Sequence, residues 1–157
     1  MSAIGKKYLL NPFELTDSDS ESNHQIGVII WCDVASEYGL SIANSKEYYE
    51  LTEHIVNHKK SDFSFLKYMY SVPNGGMRTP RERLKLNREG VKSGVEDLAL
   101  DVSRHSWHGL RIEMKAKDGK QSFEQKEWQK FHLEQGYYSV VCYSFLEARN
   151  EIVKYLS

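Results

Sequence analysis

Two short segments with strict two-residue alternation constrain this chain most. In residues 97–102, Leu98, Leu100 and Val102 alternate with Asp97, Ala99 and Asp101; in residues 110–115, Leu110, Ile112 and Met114 alternate with Arg111, Glu113 and Lys115. Side chains of a β-strand point to opposite faces in turn, so each segment reads as a half-buried strand. The polar stretch 103–109 between them makes an antiparallel hairpin the economical solution. If the hairpin is symmetric, its centre lies near His105 and Asp97 stands across from Glu113, with Cβ atoms ~5 Å apart. Lys115 shares their face. Two carboxylates that close repel, which makes sense when a cation lies between them. A hard divalent ion takes such oxygen ligands and leaves positions for water and phosphate oxygens. Against this stands the plain alternative of three charges on the wet face of an antiparallel sheet.

The rest of the sequence supplies elements around the hairpin. Ile26, Ile29, Ile30 and Val34 recur at helical spacing, predicting a helix from about residue 21 to 37 with Ser18, Ser20 or Ser22 as its cap. Residues 1–20 read as a polar leader, because the run 16–22 has no apolar period to bury. Residues 38–65 are polar and tyrosine-rich, with a short helix expected over about 47–57. His54 and His58 lie one helical turn apart there, but two histidines fall short of the three or four ligands a zinc site needs. The run Pro73, Asn74, Gly75, Gly76 forces a turn. Thr79, Pro80 and Glu82 then spell a capping box for a helix that Gly90 stops. A second capping box, Ser122 with Gln125, opens a helix ending at Gly136, with Trp128 and Phe131 on its apolar side. A buried strand over 138–145 and a helix over 146–156 close the order.

Charge is segregated along the chain. The 157 residues carry a net charge of only −1, which argues against general electrostatic coating of nucleic acid. Yet Arg78, Arg81, Lys85, Arg88 and Lys92 cluster, and Arg81, Lys85 and Arg88 fall on one helical face. They are candidate phosphate contacts, with a solvated helix face as the alternative. The 40% hydrophobic content supports one compact domain with a core. No stretch approaches the ~20 apolar residues of a membrane helix, so a soluble intracellular protein is expected. Cys32 and Cys142 lie in apolar surroundings without CxxC spacing and read as buried free thiols.

From about residue 72 onward the chain resembles the VRR-Nuc domain of the PD-(D/E)xK nucleases. The resemblance rests on Pro73 to Gly76 with Arg78, on residues 86–98 (LNREGVKSGVEDL), and on 108–115 (HGLRIEMK). It continues through Ser122, Gln125, Trp128, Gly136 and Tyr137 to Glu147 and Ala148. It implies a restriction-endonuclease-like α/β core, a small mixed sheet flanked by helices, with residues 38–65 as an insert. It also implies Asp97, Glu113 and the main-chain carbonyl of Met114 as ligands of Mg²⁺ or Mn²⁺, Lys115 as the catalytic lysine, and Gln125 supporting them. Glu21, four residues before Gln25, matches the acidic residue of the family's first helix, with Asp17 and Asp19 as competitors. Glu96 stands where the family usually has proline, and strand alternation predicts that it faces away from the metal. Stand-alone members, similar to phage and bacterial ones, resemble structure-specific endonucleases of branched DNA, and Holliday-junction resolution by a homodimer is the sharpest form. A flap or single-strand nuclease is the nearest alternative; a non-cleaving DNA-binding protein and an interaction module using the tyrosine-rich insert are the others. His105 and His108 in the hairpin loop are minor candidates for phosphate contact.

Overall fold

A computed structural model describes residues 10–17, 19–50, 61–73 and 79–157. Helix α1 (Glu21–Tyr38) is followed by the short helices α2 (Leu40–Ala43) and α3 (Lys46–Glu50), and a 3₁₀ turn (Ser64–Tyr68) leads into strand β1 (Tyr70–Ser71). Then come α4 (Pro80–Arg88), β2 (Leu98–Leu100), β3 (Leu110–Met114), α5 (Phe123–Glu134), β4 (Tyr138–Cys142) and α6 (Phe145–Leu156). The sheet order is β1-β2-β3-β4, with the first two pairings antiparallel and β3 parallel to β4. Parallel neighbours need a crossover, and α5 supplies it. The protein is therefore a mixed α/β domain with a four-stranded sheet flanked by helices.

The hairpin register follows from the alternation. Leu98 pairs with Ile112, Ala99 with Arg111 and Leu100 with Leu110, so the strands are symmetric about residue 105, and one further step brings Asp97 level with Glu113. Leu98, Leu100, Leu110, Ile112 and Met114 are fully buried in one cluster with Val28 and Trp31 of α1 and Phe145 and Ile152 of α6. A two-residue slip-free register matters here, because a slip of one residue would exchange this apolar face for the charged one. The opposite face receives α5.

Several expectations need correction. The chain is ordered well before Glu21: Asn11 and Pro12 are buried, and the Phe13 ring packs edge-on against Phe145 with centroids 5.4 Å apart. A lone aromatic produces no period, so its packing left no pattern to read. In α5, Phe131 is 49% exposed and His132 is buried in its place, while Trp128, half-buried, donates its Nε1–H to Ser93 O at 3.1 Å. Ile26 is also exposed, and Val28, Trp31, Cys32 and Ala35 carry the buried face of α1 with Ile30 and Val34. Strand β1 was not expected. Its two side chains are both exposed, so it shows no alternation of burial. Both cysteines are free and buried, and burial pushes both thiols up, away from the reactive thiolate. Among the described residues no helix is long and apolar enough to cross a membrane. Residues 51–57 of the expected short helix, His54 and His58, the glycine turn at 74–76 and Arg78 lie outside the described residues.

Candidate active site

Where β2 begins and β3 ends, the hairpin gathers Asp97, Glu113 and Lys115. The Met114 N–H donates to Asp97 Oδ2 at 2.8 Å, which holds that carboxylate against the adjoining strand. Glu113 is 1% exposed. Its Oε1 accepts from Lys115 Nζ at 2.6 Å and from Gln125 Nε2 of α5. Its Oε2, also buried, has no hydrogen-bond partner. A buried carboxylate oxygen without a donor is costly. Burial, with repulsion from Asp97, pushes the Glu113 carboxyl up to about 7 against the pull of Lys115. Burial also raises Asp97, opposed by the Met114 N–H and by Lys115. Burial acts to lower the pKa of Lys115, but Glu113, Glu21 and Asp97 together outweigh it and hold the ammonium above its ordinary value.

Gln125 owes its position to the cap of its own helix. The Ser122 hydroxyl accepts from Gln125 N–H, and Gln125 Oε1 accepts from the Ser122 N–H at 2.8 Å. The oxygen being committed to the cap, the amide NH₂ is left to donate to Glu113, which also fixes the orientation of the amide. A carboxylate at this position would keep the cap and lose the donor.

The start of α1 closes the other side. Glu21 Oε1 lies 3.7 Å from Lys115 Nζ and accepts from Ala116 N–H at 3.4 Å. Of its competitors, Asp19 accepts from Lys117 N–H at 3.0 Å, while Asp17 ends a 3₁₀ turn ahead of α1. The structure thus brings Asp97, Glu113, the Met114 main chain, Lys115, Gln125 and Glu21 together. Lys115 Nζ lies within 3.7 Å of Glu113 Oε1, Met114 O and Glu21 Oε1.

The donor set suits a hard divalent ion. Asp97, Glu113 and the Met114 carbonyl offer oxygen only, and Glu113 Oε2, buried without a hydrogen-bond partner, could serve as one such ligand. Among the described residues no three His, Cys, Asp or Glu side chains form a ready-made cage. The remaining positions would therefore fall to the main chain, to water and to a phosphate-bearing ligand, as magnesium commonly requires.

Glu96 does not face away from this site. It is 1% exposed and accepts from Ser139 Oγ at 2.7 Å, with His132 Nδ1 at 2.8 Å, so it lies beneath α5 as Glu113 does. Alternation failed as a guide because β2 begins only at Leu98. The polar series Gln125, Gln129 and His132 on α5, spaced at i, i+4, i+7, was the signal for a buried polar face.

The basic candidates are arranged differently. Arg81, Lys85 and Arg88 lie on α4, which buries no residue, and Lys92 follows it, exposed. Lys85 pairs with Glu89 at 3.7 Å. The chain leaving α4 is fastened to α5: Gly94 has φ +87°, and a Cβ there would come within 2.8 Å of Glu124. The exit of the basic helix therefore rests on the same turn that carries Gln125. His105, at φ 54°, and His108 are exposed in the hairpin loop.

No family model matches the chain, and no curated protein matches it. Among solved structures, a protein described as a VRR_NUC domain protein is similar over 86% of each chain, with a TM-score of 0.59 and 25% sequence identity. With its mixed sheet, flanking helices and this likeness across most of the chain, the protein has a nuclease-like fold similar to that of a VRR_NUC domain protein.

Proposed function

We propose that the protein is a divalent-metal-dependent nuclease that hydrolyses phosphodiester bonds in DNA. One observation carries the reading: the buried Glu113 carboxylate, with one oxygen unpartnered, beside Asp97 and in contact with Lys115. Ordinary surface charges would be solvated, and burying them together has a cost that a catalytic task explains. Asp97, Glu113 and the Met114 carbonyl would hold Mg²⁺ or Mn²⁺, with Glu21 at the open side. The ion supplies Lewis-acid stabilisation of charge on the phosphoryl oxygens.

The protein's own groups do the rest. Lys115, held as an ammonium, is a hydrogen-bond donor that orients an attacking water through its oxygen and offsets negative charge on the phosphate. In this state it is not the base. Gln125 keeps Glu113 in place, and Arg81, Lys85, Arg88 and Lys92, with Arg78, provide a basic approach for the DNA backbone. The preferred substrate on this reading is branched DNA, cut at a four-way junction by a homodimer whose two-fold symmetry matches paired incisions. Flap or single-strand cleavage is the neighbouring reading. A soluble protein of a bacterial or phage-infected cell is the setting these properties fit.

The test is cleavage of labelled four-way junction, flap, duplex and single-stranded DNA with Mg²⁺, Mn²⁺ or EDTA. Metal-dependent cutting by the wild type, reduced by about 10² or more in Lys115→Ala and Asp97→Asn, is expected. Paired nicks on the junction select resolution; cuts confined to flaps or single strands select the neighbour. Binding of DNA without any cutting would place the protein among non-cleaving DNA-binding proteins.

A further inference from the structure

The chain turns back as soon as it leaves Lys115. Gly119 N–H donates to Ala116 O at 2.8 Å, and a Cβ at Gly119 would stand 3.1 Å from Lys115 Cδ. The turn therefore lies against the stem of the lysine at the centre of the site. Lys117 and Lys120 on this stretch, and Lys126 on α5, are exposed and make no ion pair among the described residues. Elsewhere Lys85, Lys130 and Lys154 each find a carboxylate within 4 Å along their own helix. Between the unpaired lysines stands Phe123, the first residue of α5. At 71% it is the most exposed large hydrophobic side chain among those described. The capping box of Ser122 and Gln125 holds its turn rigid. Phe123 and Lys126, three residues apart, share the outer face, while Gln125 on the inner face reaches Glu113.

We propose that Lys117, Lys120, Phe123 and Lys126 form a contact surface for single-stranded DNA leading into the site, the ring stacking on one unpaired base and the ammonium groups meeting backbone phosphates. The inference rests on the nuclease reading and deepens it by making an unpaired nucleotide near the cut phosphate part of the substrate. The unpaired lysines point to an anionic partner: Lys117, Lys120 and Lys126 flank one exposed apolar ring along the chain, against Asp118 and Glu124 of the same stretch and Asp19, whose carboxylate accepts from the Lys117 N–H. Basic side chains interleaved with an exposed aromatic are how proteins hold single strands, because every base has a face to stack. A base within a duplex is already stacked and offers the ring little.

The experiment is an equilibrium titration of the full chain in EDTA against a single-stranded oligonucleotide containing 2-aminopurine, and against the matching duplex. Binding by the wild type should quench the fluorescent base. Phe123→Ala and Phe123→Leu should each weaken single-strand binding by about 10- to 100-fold, the effect of losing one base–aromatic stack. Phe123→Trp should retain it, and none of the three should alter duplex affinity. Removing Lys117, Lys120 or Lys126 as glutamine should each reduce the slope of log affinity against log salt by about 0.7. A leucine variant equal to wild type, or equal losses on duplex and single strand, overturns stacking. Metal-dependent cleavage with affinity indifferent to Phe123 sinks this surface and leaves the nuclease reading standing. Phe123-dependent binding by a wild type that cuts nothing does the reverse.

Discussion

Helices α4 and α5 open with the same device, Thr79 with Glu82 in one and Ser122 with Gln125 in the other, yet only α5 is built into the protein. α4 buries none of its residues. α5 lies on the sheet, buries His132 against Glu96 and holds Glu113 through its third residue. The difference at that third residue is one atom. A carboxylate satisfies the cap of α4, whereas the amide of α5 satisfies its cap and also donates to Glu113. A local folding motif has become a support for a buried charge without any change in its own geometry.

Exchanging the third residues should expose that difference. Gln125→Glu keeps the capping acceptor but sets a carboxylate beside Glu113, and cleavage should fall about 10- to 100-fold, as when a group supporting a metal ligand is altered. Glu82→Gln should leave cleavage unchanged, and parallel circular-dichroism melts would show both variants folded. An active Gln125→Glu protein would sink the role assigned to the amide.

The carboxylate that α5 covers should also set a pH dependence in the metal-free protein. Its pKa is raised from 4.5 to about 7, so the folded state binds this proton more tightly than the unfolded chain. That stabilisation is present in full below about pH 4.5 and is lost as pH rises through 7. Wild type should therefore lose stability relative to Glu113→Gln across this window in urea titrations, and the difference should level off above it. A difference that stays flat from pH 4 to 8 contradicts the burial argument.

Two glycines sharpen the contrast further. Gly90, after α4, has φ +92° with nothing within 4 Å of its missing Cβ, while Gly94 has φ +87° and the backbone of α5 against it. Gly90→Ala should cost about 1–2 kcal/mol from the left-handed backbone alone. Gly94→Ala should cost more, because the loop must also leave Glu124, and equal denaturation midpoints for the two would refute the packing. The smallest effects belong to the caps: Ser122→Ala and Thr79→Ala each lose about 0.5–2 kcal/mol of helix stability. The first should appear in global unfolding. The second should appear only as faster amide exchange within α4, whose opening breaks no core contact.

What the sequence discloses follows the range of the forces involved. The hairpin register was readable because Leu98, Leu100, Leu110 and Ile112 leave one face to bury, and the caps at Thr79 and Ser122 were readable because they are complete within four residues. Glu96 was not, since its place depends on His132 and Ser139 and not on the strand that starts two residues later. Pro12 and Phe13 gave no warning of their packing, the Phe13 ring meeting Phe145 of α6 and Tyr49 of α3, both far along the chain. Within the site, the pairing of Asp97 with Glu113 is written in the alternation. The approach of Glu21 to Lys115 is a tertiary fact that spacing does not encode, and the lysines at 117 and 120 had no periodicity to single them out.

The contact of Glu21 with Ala116 spans 95 positions of the chain, and Gln125 lies beyond both. A polypeptide emerging from the ribosome can form its hairpin while α5 is still being made, but Lys115 would then be a hydrated lysine and Glu113 an exposed acid of ordinary strength. The chemistry proposed for them waits on translation of the segment through α5 and β4. On the nuclease reading, incomplete and unfolded chains would lack the assembled site, and the order of synthesis would itself act as a safeguard.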